Sequence, residues 1–169
     1  MTTVDVDNVG AGRLAAQRLL DGGRRRLGMV AGPAGSWAAV DREEGFREAA
    51  EMTHLARGDG TAAGGAQGMR RLLTEAPDLD GVFVADDLMA LGALHALTAA
   101  GRRVPRHVAV VGFGDVDLAA TSAPPLTTIR APRAAQARRM VELLVQRIAG
   151  RDVPPSVVLE VELVARDSG

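Results

Sequence analysis

Apolar residues along the chain recur in two alternating rhythms. Short runs rich in β-branched side chains, at residues 2–6, 27–31, 81–85 and 108–113, are separated by segments whose apolar positions return every three or four residues. The first rhythm predicts strands and the second helices. Their alternation predicts βαβ units around a mostly parallel sheet flanked by helices, an α/β fold. The first helix follows Asp7-Asn8, good capping residues, carries Leu14, Leu19 and Leu20, and stops at Gly22-Gly23. Further helices are expected over 38–52, 65–75 and 88–100, the last ended by Gly101.

Beyond Phe113 the pattern changes. A loop over 114–125 ends at Pro124-Pro125 and leads to a strand at 126–130, then to a helix at 133–149 bearing Met140, Leu143, Leu144 and Ile148. The turn Asp152-Val153-Pro154-Pro155 then enters an alternating strand at 157–164. The helix after Asp86-Asp87 has its own message: its only polar side chains are His95 and Thr98. A helix apolar all round is normally buried all round, so either a neighbouring element or a second subunit covers its outer face, with a twofold-related copy preferred.

Composition narrows the classes. With 169 residues and 47% apolar content the chain suffices for one compact domain. It shows no apolar run of membrane-spanning length and no secretory leader, and it has no cysteine, which together suggest a cytoplasmic protein. A net charge of −1 argues against wholesale nucleic-acid affinity, and one tryptophan, three phenylalanines and no tyrosine give little to stack single-stranded bases on. All 20 basic residues are arginine, which removes P-loop, Schiff-base and lysine general-base chemistry.

Asp86-Asp87 falls at the carboxyl end of a strand, where open α/β sheets place ligands. The pair could hold Mg²⁺ or accept hydrogen bonds from ligand hydroxyls, or one aspartate could simply cap the helix. Asp115 is the other acid at a comparable strand end. Two glycine patterns, Gly10-Ala11-Gly12 and Gly58-Asp59-Gly60, echo the dinucleotide fingerprint, but no acid ends the strand after the first, and turns or close packing explain both. Arg24-Arg25-Arg26 could touch phosphate, though a solvated turn complementing the preceding helix dipole is the simpler reading. His54, His95 and His107 show no metal spacing, and no serine-nucleophile elbow is present.

Taken in order, the segments VDVDNVGAGRLAAQRLLDGGRRRLGMVAGP, DREEGFREA, GVFVADDLMALGALHAL, RRVPRHVAVVGFGDVDLA and PPLTTIRAP resemble the effector-binding core of the lactose-repressor/galactose-repressor family of bacterial transcription regulators. That resemblance implies a two-lobed fold like that of periplasmic sugar-binding proteins. Residues 1–115 would form the C-terminal lobe, 116–156 the crossover with a partial N-terminal-lobe strand (126–130) and helix, and 157–169 a returning strand. The DNA-reading helix-turn-helix of the family is absent from the segment. The implied function is effector sensing and dimerisation, with no catalysis and no cofactor. The implied partners are a small sugar-like or nucleoside-like effector, a second copy, and operator DNA through a domain outside this segment.

By the same resemblance Asp86 contacts ligand where the family usually has asparagine, Asp87 supports it, and the helix bearing Met89, Ala93, Ala96 and Leu97 forms the dimer. Arg42 survives from the family's arginine motif. Three pocket positions differ: Val40 replaces a ligand-gripping arginine, Gly60 an aromatic wall and Gly114 a ligand aspartate. The connection from Phe46 to Gly58 is shorter than in the family and predicts a trimmed strand. Ser36, Trp37, Arg42, Asp86 and Asp115 are the remaining candidate ligand residues, with Trp37 placed to fill the space Val40 leaves. The alternatives are a stand-alone sugar-binding transport protein, or a nucleotide-using enzyme with Mg²⁺ on Asp86, Asp87 and Asp115.

Overall fold

In the computed structural model, which describes residues 2–169, the chain runs β1 (Thr3–Val6), α1 (Asn8–Asp21), β2 (Leu27–Ala31), α2 (Trp37–Ala49), β3 (Met52–Arg57), α3 (Ala62–Glu75), β4 (Gly81–Val84) and α4 (Asp87–Ala99). It continues through β5 (Ala109–Gly114), α5 (Asp117–Thr121), β6 (Thr127–Arg130), α6 (Arg133–Ile148), β7 (Ser156–Leu159) and β8 (Glu162–Val164). Six strands form one sheet in the order β3-β2-β4-β5-β6-β8, parallel except for the β6–β8 pair. The central β2, β4 and β5 are buried at every residue, as strands between two helical layers must be.

Side-chain capping fixes where most helices begin. Asp7 accepts from Gly10 N at 2.7 Å, Thr61 Oγ1 from Gly64 N at 3.0 Å, and Asp86 from Leu88 N at 2.8 Å. The strand order reverses direction after β2, so right-handed crossovers put α2 on the same face as α1 and send α3 and α4 to the other. Each pair closes on glycine. A Cβ on Gly12 or Gly45 would enter the backbone of the partner helix at Arg42 or Val9, and one on Gly65 or Gly92 would enter it at Met89 or Ala62.

The structure corrects several expectations. The helix predicted over 38–52 ends at Ala49, because Ala50 is extended, and Met52 opens β3, a full six-residue edge strand rather than a trimmed one. Its alternating, half-exposed side chains carry little hydrophobic signal. The expected loop over 114–125 contains α5. The strand at 126–130 was expected apart from the main sheet. It lies inside it, hydrogen-bonded to β5, with Thr127, Thr128 and Ile129 buried. The final strand divides in two: β7 pairs with β1 in a separate two-stranded sheet, and β8 pairs with β6. Thus β1, expected with residues 1–115, stands outside the main sheet with β7.

Helix α6 shows the exposed apolar surface that the family resemblance implies for it. It packs beside β1, buries Leu143, and leaves Met140, Val141, Leu144, Val145 and Ile148 exposed. In helix α4, Met89, Ala93, Ala96 and Leu97, expected at a dimer interface, are at most 2% exposed within the single chain. That side of α4 packs against the sheet at β4 and β5 and against α3, which the Gly65 and Gly92 contacts bring close.

Candidate ligand cleft at the carboxyl edge of the sheet

The strand order reverses between β2 and β4, the kind of switch point at which open α/β sheets place their ligands. Backbone bonds link the strand ends there: Gly58 N donates to Ala31 O at 2.8 Å and Ala85 N to Val30 O at 3.0 Å. Four side chains gather at this edge. Arg42, from α2, donates through Nη1 to the Asn8 side-chain oxygen at the start of α1 and lies 4.2 Å from the Phe113 ring centroid at the end of β5. Asp86 is the carboxylate that acts most strongly on Arg42.

Arg42 reaches this position because Gly12 and Gly45 let α1 and α2 approach closely. Burial lowers its pKa to about 10, against the opposing pull of Asp86, Asp5 and Asp41, and it stays charged at neutral pH. Its Nε is buried with no hydrogen-bond partner among the described residues. Buried Asn8 in turn donates to Val6 O at 3.2 Å and to Asp5 at 3.3 Å, which fixes the oxygen it offers to Arg42. Sequence reasoning took Asn8 only as a capping residue. Its burial depends on α2 and had no signal in the chain.

The other candidate residues divide. Asp86 is the α4 cap, accepting from Leu88 N at 2.8 Å and Met89 N at 3.3 Å just past the carboxyl end of β4. Asp87 is 1% exposed and turns inward, accepting from Thr128 Oγ1 at 2.6 Å and Val116 N at 3.0 Å, while burial raises its pKa. Ser36 caps α2, accepting from Ala39 N at 3.3 Å. Trp37 is 85% exposed, so it does not fill the space beside Val40, which is itself exposed. Gly60 has φ +85° with open space around it, and Gly114 has φ +132°, a conformation that would strain an aspartate.

Asp115 is drawn away from the cleft. Its two oxygens accept from Arg130 Nε at 2.7 Å and Arg166 Nη2 at 2.6 Å, and Arg130 also meets Glu162. Burial acts to raise the Asp115 pKa, but the two arginines outweigh it and hold the carboxyl below its ordinary value. A depressed folded pKa means stability that is present above the unfolded value of about 3.9 and lost as pH falls through the folded one. Asp115→Asn is therefore expected to melt below the parent at pH 6, with the gap closing at pH 2–3. Thermal melts across that range check it.

Each of Asp86, Asp87 and Asp115 is thus held by a different partner, and no group of three acids or histidines able to hold a metal occurs among the described residues. No helix among them is long and apolar enough to cross a membrane.

A parallel sheet with its switch point between β2 and β4, flanked by paired helices and accompanied by a detached β1–β7 pair, is the architecture of one class. The chain belongs to the periplasmic binding protein-like domain family, which matches residues 16–169. It is similar to the regulator CelR of Thermobifida fusca, a helix-turn-helix-type transcriptional regulator, at 46% identity over 98% of this chain and 51% of that protein. It is 34% identical to the repressor CytR of Escherichia coli over 99% of this chain and 52% of that protein. The chain spans about half the length of these curated relatives.

Among solved structures, a CelR–cellobiose complex superposes with a TM-score of 0.96 at 46% identity, covering 100% of this chain and 54% of that one. A dimeric Lac repressor with a C-terminal deletion gives 0.93 at 30% identity, covering 98% of this chain and 63% of that one. The resemblance to the lactose-repressor/galactose-repressor group and the α/β fold expected from it both hold.

Proposed function

We propose that this chain is the effector-sensing and dimerising part of a bacterial transcription regulator, with operator binding performed by a helix-turn-helix domain outside these residues, and that it is not an enzyme. The six-stranded sheet with α1–α5 would be one complete lobe. The β1–β7 pair and α6 would be a fragment of a second lobe, whose remainder would cover the apolar face of α6. The observation that carries this reading is the Arg42 arrangement: a charged guanidinium held by Asn8 and Phe113, with a buried donor left over, facing Asp86 across the sheet's switch point. A fixed donor fork opposite a carboxylate acceptor suits a small molecule rich in hydroxyls.

The solved CelR structure is a complex with cellobiose, which makes cellobiose the first probe. Calorimetric titration of the chain with cellobiose, other mono- and disaccharides and nucleosides is expected to give heat with at least one. Arg42→Ala is expected to weaken that binding at least about 10-fold, because a charge-assisted hydrogen bond contributes roughly 1.5–3 kcal/mol. Heat with none of them rejects the sensing function.

Dimerisation cannot use the buried side of α4. We place it on what that helix leaves outward, Leu88 with His95 and Thr98, continued by exposed Leu118 on α5. Sedimentation that shows only monomers at high concentration would reject the pairing. The transport-protein reading gains no specific observation. Neither does the Mg²⁺-dependent enzyme, whose three acids do not converge.

A further inference from the structure

The ligand cleft lies at the carboxyl edge of the parallel strands, and the opposite edge carries a feature that effector sensing does not use. Two arginine runs about eighty positions apart in the chain, Arg24-Arg25-Arg26 before β2 and Arg102-Arg103 with Arg106 before β5, meet there. Arg24 Nη2 donates to Pro105 O at 2.7 Å and its Nη1 to Arg106 O at 3.5 Å. Arg102 donates to Pro77 O and Arg26 to Asp78 O, which joins the segment before β4 to the same surface.

Acids share this edge: exposed Glu51 stands just before β3, and Glu75, at the end of α3, pairs with Arg71. Arg26 pairs with Asp78 and Asp80, and Asp80 also accepts from the backbone N of Arg25 and Arg26. Asp21 at the end of α1 is held by Gln17. Among the described residues Arg24, Arg25, Arg102, Arg103 and Arg106 form no salt bridge, and Arg25, Arg103 and Arg106 are exposed. The excess is felt locally: His107 is held below its ordinary pKa, by burial first and then by Arg103, Arg106 and Arg102. Among the described residues, exposed Arg25, Arg103 and Arg106 thus carry positive charge that no carboxylate of this mixed edge neutralises by a direct pair.

We propose that the arginine-rich edge formed by residues 24–26 and 102–106 is a docking surface for the phosphate backbone of duplex DNA, independent of base sequence and separate from the effector cleft. Two arguments select this partner over other anions. An exposed arginine–carboxylate pair contributes only about 0–1 kcal/mol, so a flexible acidic peptide gains little here, whereas a duplex presents one phosphate per roughly 1.7 Å of axis and releases condensed counterions on contact. Single strands are disfavoured because no aromatic side chain lies in either arginine segment.

The test is fluorescence anisotropy of a labelled duplex of arbitrary sequence, titrated with the 169-residue chain over a range of salt. Three arginine–phosphate contacts, by Arg25, Arg103 and Arg106, predict a log–log salt slope of about −2.7, and Arg25→Glu with Arg106→Glu should make it shallower by about 2 and weaken binding at least about 10-fold. The lysine pair, Arg25→Lys with Arg106→Lys, should keep the parent slope. An unchanged melting curve for the glutamate pair shows that the loss is not unfolding. No binding at low salt, a slope indifferent to the glutamate pair, or equal competition by poly-glutamate would each overturn the proposal.

Discussion

Gly92→Ala is expected to lower the stability of the chain by at least about 2 kcal/mol, in the upper part of the range for overpacked cores. The new methyl group would have to occupy the space of the Ala62 carbonyl and crowd Ala66 N on α3. These atoms are backbone, so no side-chain rotation relieves the clash, and the helices must separate. Separation would uncover buried Met89, whose backbone lies against Gly65 of α3. The intrinsic gain of alanine over glycine in a helix, about 1 kcal/mol, offsets only part of this. Gly45→Ala should behave alike, since its methyl group would enter the Val9 carbonyl across the α1–α2 contact. Gly35→Ala is the control: its Cβ meets nothing within 4 Å and its φ is not positive, so little change is expected. Urea unfolding midpoints separate the three, and a Gly92→Ala protein as stable as Gly35→Ala would refute the close approach.

Asp87→Ala is expected to be the second large loss, about 2–3 kcal/mol, because it strands the buried Thr128 hydroxyl and removes the partner of the half-buried Val116 amide. These bonds tie the start of α4 to β6 and to the loop after β5, so the damage should reach the cleft through Asp86, the neighbouring cap. The charge itself works in the other direction. Burial raises the Asp87 pKa from its ordinary 3.8, so stability from its protonated form is complete below that value and declines as pH rises towards the raised folded value. Asp87→Asn, which cannot titrate, should therefore gain on the parent as pH rises through that window. Asp115 produces the opposite trend in a more acidic window, so melting curves over both windows assign each effect to its residue. A parent-minus-Asp87→Asn difference that does not vary with pH would remove the buried-carboxylate account.

Much of the cleft could be read from the chain and some could not. Asp86 was legible because a strand, an acid and an apolar helix follow one another locally, and a cap is a local interaction. Arg42 was legible only through resemblance, since nothing within ten residues of it announces that Gly12 and Gly45 will bring it to Asn8 and Phe113. The surroundings of Trp37 and Asp115 were not legible in the chain. Trp37 projects into solvent, and Asp115 is claimed by arginines 15 and 51 positions away. Family residues are shared by position, but a side chain's partner depends on what the rest of the fold delivers to it.

The sequence by itself determined the alternation of strands and helices, the layered α/β class, and the helix starts after Asp7 and at the Asp86-Asp87 pair, because all of these follow from periodicity and from contacts within a few residues. Only the tertiary structure decided that β3 exists as a full edge strand, that β6 joins the main sheet while β1 leaves it, that α3 packs against α4, and that two distant arginine runs share one surface. Those outcomes depend on which backbones approach closely enough to exclude a side chain and on which strand edge is free to accept hydrogen bonds. A linear pattern of polar and apolar residues fixes which face of an element is buried, but not what buries it.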